Sequence, residues 1–97
     1  MSRPQPLSET ELSAALPSIP DWTVAGGKLH RVFRFPDFSA AFGFMARAAL
    51  AAEKLDHHPD WSNAYDRVEV DLATHDAGGI TRLDLELARE MDKLAGH

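Results

Sequence analysis

The chain has 97 residues, ten Lys+Arg against fifteen Asp+Glu, a formal net charge of −5 with its five histidines neutral, and no cysteine. The missing thiol excludes a disulfide scaffold, a thiolate zinc site and a cysteine nucleophile, and the acidic balance argues against phosphate-driven nucleic-acid binding, which draws on clustered Lys and Arg. With 44% hydrophobic and 26% charged residues, the composition is that of one folded domain over residues 1–97 rather than a disordered chain.

Pro4 and Pro6 mark a short flexible lead-in over residues 1–6. That segment lacks the apolar core of a secretory signal. The longest apolar-looking stretch, residues 40–52, is broken by Arg47 and is shorter than the ~20 residues a membrane span needs. The expectation is a cytoplasmic protein without a membrane span. Ser8 followed by Glu11 reads as a capping box for a helix carrying Leu12, Ala15 and Leu16. That helix stops before Pro17, because the residue preceding a proline resists the α conformation. Residues 21–24 and 28–35 then flank Gly26-Gly27 as a first hairpin. In its second strand Leu29, Phe33 and Phe35 share a face with Arg31, so the alternation is imperfect.

From Asp37 the period changes. Phe38, Ala41, Phe42, Met45, Ala48, Ala49, Ala52 and Leu55 recur at three- and four-residue steps over about five turns, bounded by Pro36 and Pro59. A second hairpin is expected over residues 62–74, where Val68, Val70 and Leu72 alternate with Glu69, Asp71 and Ala73. Gly78-Gly79 turns the chain into Thr81-Arg82-Leu83-Asp84, a second capping box, and Leu83, Leu87, Met91 and Leu94 form the apolar stripe of a last helix. The order α-β-β-α-β-β-α predicts an α+β layer fold, a mainly antiparallel sheet with helices packed on one face.

Three histidines lie near breaks in this pattern. His57 and His58 precede Pro59 at the end of the long helix, and His75 ends the last strand, while Asp84 opens the final helix. A helix end and a strand end can share one rim of such a sheet. Glu53, Asp56, Asp60, Trp61 and Asp76 supply an acidic and aromatic setting. Imidazole has an unperturbed pKa of about 6.5, so it donates and accepts protons near neutral pH. Glu53 stands four residues before His57, and in a helix persisting through His57 the two share a face and can hydrogen-bond.

Plainer readings stand beside this one. Two histidines before a proline make an ordinary solvated helix end, and His75 an ordinary loop residue. Three histidines with a carboxylate can in principle satisfy zinc, but neighbouring side chains leave a helix about 100° apart. No HxH or HExxH spacing occurs, so metal-free acid–base chemistry is favoured over a metal site. The glycine pairs match neither a Walker nor a GxGxxG element, and Ser8, Ser13 and Ser62 lack a nucleophile elbow.

Glu53-Lys54-Leu55-Asp56-His57-His58-Pro59-Asp60-Trp61, then Tyr65, Val68-x-Val70-x-Leu72-x-Thr74-His75-Asp76, Gly78-Gly79 and Asp84, resembles the signature of the pterin-4a-carbinolamine dehydratases. The resemblance extends upstream to Phe42-Gly43-Phe44-Met45 and Trp22. It implies a four-stranded antiparallel sheet and dehydration of 4a-hydroxytetrahydropterin to quinonoid dihydropterin, which recycles the pterin of aromatic amino acid hydroxylases. It also implies His57, His58 and His75 as catalytic histidines, with Asp84 as a supporting carboxylate. Asp56, Thr74 and Asp76 with those histidines would hold the pterin, and Glu53, Pro59 and Trp61 would support the site. No cofactor and no metal is expected. Open sheet edges and an alanine-rich helix, with the family's habit of assembling, predict a homodimer or homotetramer. Some family members also act as dimerisation partners of a homeodomain transcription factor, so the alternative is a protein-interaction module without direct DNA contact.

Overall fold

The computed structural model describes residues 4–96; of the expected flexible lead-in, residues 1–3 fall outside the described residues. Just after it the chain is tied down, because the Leu7 N–H donates to the Ile80 carbonyl at 2.8 Å. Helix α1, Glu9–Ala15, is capped as expected. Ser8 Oγ accepts from the Glu11 N–H at 3.1 Å, and Glu11 Oε1 accepts from the Ser8 N–H at 2.8 Å. A 3₁₀ turn over Leu16–Ser18 carries the chain through Pro17 and brings Ile19 and Trp22 into the core.

Strands β1 (Thr23–Ala25) and β2 (Lys28–Arg34) form the first hairpin, helix α2 spans Phe38–Leu55, strands β3 (Asp60–Ala64) and β4 (Arg67–Leu72) form the second hairpin, and helix α3 spans Arg82–Ala95. Gly26 and Gly27, with φ of 59° and 76°, make the first turn in a region that L side chains rarely enter. The four strands pair in the order β1-β2-β4-β3, antiparallel throughout. The two hairpins therefore join through their second strands, with Leu29 opposite Leu72 and Phe33 opposite Val68. The second hairpin begins at Asp60, two residues earlier than expected. Asp60 and Trp61 consequently belong to an edge strand.

One face of the sheet is covered. Leu29, Phe33, Val68, Val70 and Leu72 pack with Ala41, Phe44, Ala48 and Ala52 of α2 and with Leu87, Ala88 and Met91 of α3. The stripe expected on α2 needs correction. Phe44 is fully buried, whereas Phe38 and Phe42 are about half exposed and Ala49 is exposed. Residues 41, 44, 48 and 52 make one row facing the sheet, and the neighbouring row through Phe38, Phe42 and Ala49 is exposed among the described residues. Small residues in the covered row let the helix lie close to the strands.

The imperfect alternation of β2 has a physical cause. Arg31 faces the core side and is 7% exposed. Its guanidinium sits 4.1 Å from the Phe33 ring centroid and bonds Asp92 of α3 at 2.6 Å. Asp92 also accepts from the Trp22 indole N–H at 2.8 Å. A charge on the inward face is therefore paired, as burial demands.

Candidate active site

Helix α2 ends at Leu55, two residues sooner than the expected Glu53–His57 contact requires. Asp56 adopts a left-handed conformation, φ 50° and ψ 43°. The Asp56 N–H donates back to the Glu53 carbonyl at 3.1 Å and the His57 N–H to the Ala52 carbonyl at 3.0 Å. This crossed pair is a Schellman closure. It rotates the chain so that His57 points inward and His58 outward. Glu53 therefore pairs with His58, Oε1 to Nε2 at 2.6 Å, and not with His57.

His57 is 5% exposed and lies 2.5 Å, Nε2 to Oδ1, from Asp84. Asp84 is fully buried because it is the N3 residue of the capping box that opens α3. Thr81 caps the helix, and its backbone N–H donates to Asp84 Oδ2 at 2.8 Å. Thr74 Oγ1 donates to the same oxygen at 2.9 Å. One carboxylate thus meets an imidazole nitrogen and accepts from a hydroxyl and an amide.

His75 lies in a 3₁₀ turn, His75–Ala77, beyond the end of β4 rather than at the strand's last position. It is exposed, with Nε2 3.3 Å from Asp60 Oδ2. Each histidine of the trio therefore has its own carboxylate: Asp84 for His57, Glu53 for His58, Asp60 for His75. The three rings surround a concavity of about 140 Å³ whose wall also includes Ala73, Thr74 and Asp76. A second concavity of about 210 Å³ adjoins it across Ala73, Thr74 and His75 and reaches Gly26, Gly27, Lys28, Gly78 and Gly79.

The expected residues separate on this geometry. His57, His58, Thr74, His75 and Asp76 meet in one wall, with Asp84 and Glu53 directly behind two of the rings. Asp56 does not line the concavity; its backbone forms the turn that aims His57. Pro59 is half-buried, and Trp61 packs against the core. Two residues take parts beyond those expected of them. Asp60 partners His75 because it opens an edge strand rather than continuing a loop. Thr81 has a signal in the sequence, since a capping box ending in Asp84 already turns that carboxylate back towards the helix start. A larger concavity of about 380 Å³ between α2 and α3, lined by Ala51, Lys54, Leu55, Glu86, Arg89 and Glu90, holds no imidazole. Among the described residues, no three His, Asp or Glu side chains are placed to hold a metal ion.

Fold and rim define an α+β domain with three imidazole–carboxylate pairs around a small, open concavity. Residues 5–94 match the Pterin 4 alpha carbinolamine dehydratase family. A protein of Solibacter usitatus assigned by name to the pterin-4-alpha-carbinolamine dehydratases is 56% identical over 89 residues, covering 92% of this chain and 94% of its own. One of Brucella ovis assigned in the same way is 54% identical over 92 residues, covering 93% and 95%. The crystal structure of a transcriptional coactivator/pterin dehydratase from Brucella melitensis superposes with a TM-score of 0.91 at 53% identity, over 95% of this chain and 100% of that one. The chain belongs to the pterin-4-alpha-carbinolamine dehydratase family, and with it to the hydro-lyases.

Proposed function

We propose that the chain removes water from a 4a-hydroxytetrahydropterin by metal-free proton transfer between imidazoles and substrate. The observation that carries this reading is the set of three imidazole–carboxylate pairs around one concavity in a member of this family. In the reaction the C4a–O bond breaks as the departing hydroxyl gains a proton. The N5 lone pair forms the new bond to C4a, and the N5 proton passes to a base, so the net loss is one water. His75 supplies one proton-transfer group and His57 or His58 the other. Acid–base groups so placed contribute about 10²–10⁴-fold each. Asp84 and Glu53 orient their rings, Asp76 and the neighbouring backbone contact the pterin, and the turn at Asp56 aims His57.

The substrate arises where an aromatic amino acid hydroxylase spends its tetrahydropterin, and the chain works beside such an enzyme in the cytoplasm. It acts as a homodimer or dimer of dimers. The edges of β1 and β3 stand open, and Phe38, Phe42 and Leu50 of α2 are 49%, 57% and 73% exposed. The same exposed helix face favours a second reading, a protein-interaction module, in line with the coactivator designation of the Brucella melitensis protein.

Stopped-flow measurement on freshly generated carbinolamine tests the first reading. Catalytic amounts of the protein should accelerate water loss well above the buffer rate, and an unchanged rate would sink it. Partner binding that survives loss of the histidines would mark the second reading instead.

A further inference from the structure

The mechanism above leaves a buried pair of hydroxyls without a role. Thr74 is 2% exposed and Thr81 is fully buried, and their Oγ1 atoms lie 2.7 Å apart. Each hydroxyl has one proton to give, which fixes the direction of every bond around them. Thr74 spends its proton on Asp84 Oδ2. The contact between the two threonines must then use the proton of Thr81. Thr81 Oγ1 in turn accepts from the Leu83 N–H at 3.2 Å, in the first turn of α3. Donation therefore runs one way, from the helix amide to Thr81, to Thr74 and to Asp84.

Neither threonine has an N–H or O–H left to give a ligand. The Thr74 N–H donates to the Gly79 carbonyl at 2.9 Å, and the Thr74 carbonyl accepts from Ala77 and Gly78 at 3.0 Å each. The Thr81 N–H is held by Asp84. Thr74 thus forms part of the concavity wall while its hydrogen bonds all point into the protein.

We propose that Thr81 and Thr74 are positioning residues that lock the Asp84 carboxylate so that His57 carries its proton on Nε2 and presents Nδ1, unprotonated, to the concavity. Oδ2 of Asp84 is saturated by Thr74 and the Thr81 amide, which leaves Oδ1 as the acceptor facing His57. Among the described residues no buried side-chain nitrogen or oxygen lacks a partner, and the only hydrogen bond of the His57 ring is through Nε2. Nδ1 is therefore the nitrogen left without a hydrogen bond inside the protein, on a ring that lines the concavity. A chain of polarised donors that ends on a buried carboxylate is stronger than its separate bonds. The proposal rests on the dehydratase reading for its catalytic consequence, while its geometry stands apart from that reading.

Protein labelled with ¹⁵N-histidine tests it, because long-range ¹H–¹⁵N correlations identify which ring nitrogen bears the proton. Wild-type His57 should show Nε2–H and an unprotonated Nδ1. Thr81→Val should mix the two tautomers and lower kcat about tenfold while KM moves less than about twofold, and Thr81→Ser should restore both readouts. A wild-type His57 protonated on Nδ1 overturns the proposal without recourse to any variant. So does a Thr81→Val protein that keeps both the wild-type nitrogen pattern and the wild-type kcat. If wild type fails to accelerate dehydration yet its nitrogen pattern responds to Thr81→Val as stated, the assigned reaction fails and the positioning chain stands.

Discussion

His57, His58 and His75 differ less in chemistry than in the company they keep. Asp84 is fully buried behind a buried ring, whereas Glu53 and Asp60 are exposed partners of exposed rings. Exposed ion pairs contribute at most about 1 kcal/mol, so Glu53 and Asp60 orient their rings loosely, and Asp84 holds His57 firmly. Asp84→Asn should therefore lower kcat by about 10²-fold, read in the dehydration assay, whereas Glu53→Gln should have the smaller effect. Equal losses would contradict this ranking. The three-way junction at Asp92 gives a prediction about stability alone. Asp92→Ala removes the carboxylate shared by Arg31 and Trp22. It should cost about 2–3 kcal/mol, the scale of a hydrogen bond to a charged group, seen as a lower urea midpoint at unchanged m. That the three histidines could share one rim was legible in their positions beside element ends. Which acid each would take was not, because the choice depends on a single left-handed residue, Asp56, that has no glycine to announce it.

The two capping boxes illustrate what local sequence settles. Ser8 with Glu11 and Thr81 with Asp84 form as their spacing predicts, since the cap bonds span only three residues and need no tertiary support. Glu11 is held below the ordinary glutamate value, first by the Ser8 backbone N–H and then by the Ser8 hydroxyl. A carboxylate whose folded pKa is lowered stabilises the fold above its ordinary value and loses that contribution as pH falls through the lowered one. Protection of the amides at the start of α1, taken relative to their intrinsic exchange at each pH, should fall across that acid window, and Glu11→Gln should abolish the step. A step that persists in the variant would show that another group is responsible. Helix α2 illustrates the opposite case. Its existence and its stops were legible, but apolar residues occupy two adjacent rows, and periodicity alone does not say which row the sheet covers. Phe44 is buried and Phe42 is not because the strands reach only the row through residues 41, 44, 48 and 52.

At the scale of the whole molecule the order of elements predicts the layered fold, and the antiparallel sheet with its covered face follows from it. The joining of the hairpins through β2 and β4 is not written in either hairpin; it follows from burying the Leu29, Phe33, Val68 and Leu72 side chains together. That arrangement leaves β1 and β3 at the edges and places Asp60, on β3, beside the histidine concavity. Open edges and an uncovered apolar row on α2 call for a second copy. Sedimentation should give a dimer or tetramer at micromolar concentration, and a monomer throughout would contradict that assembly. The proposed function places the reaction at the rim of the sheet and not in the larger concavity between α2 and α3. The most direct test of this is the rate of water loss from freshly generated 4a-hydroxytetrahydropterin with wild type, His57→Ala, His58→Ala and His75→Ala side by side. The account predicts catalysis by wild type and a reduced kcat in the variants, largest for His57→Ala at about 10²-fold or more; undiminished rates in all three variants would contradict it.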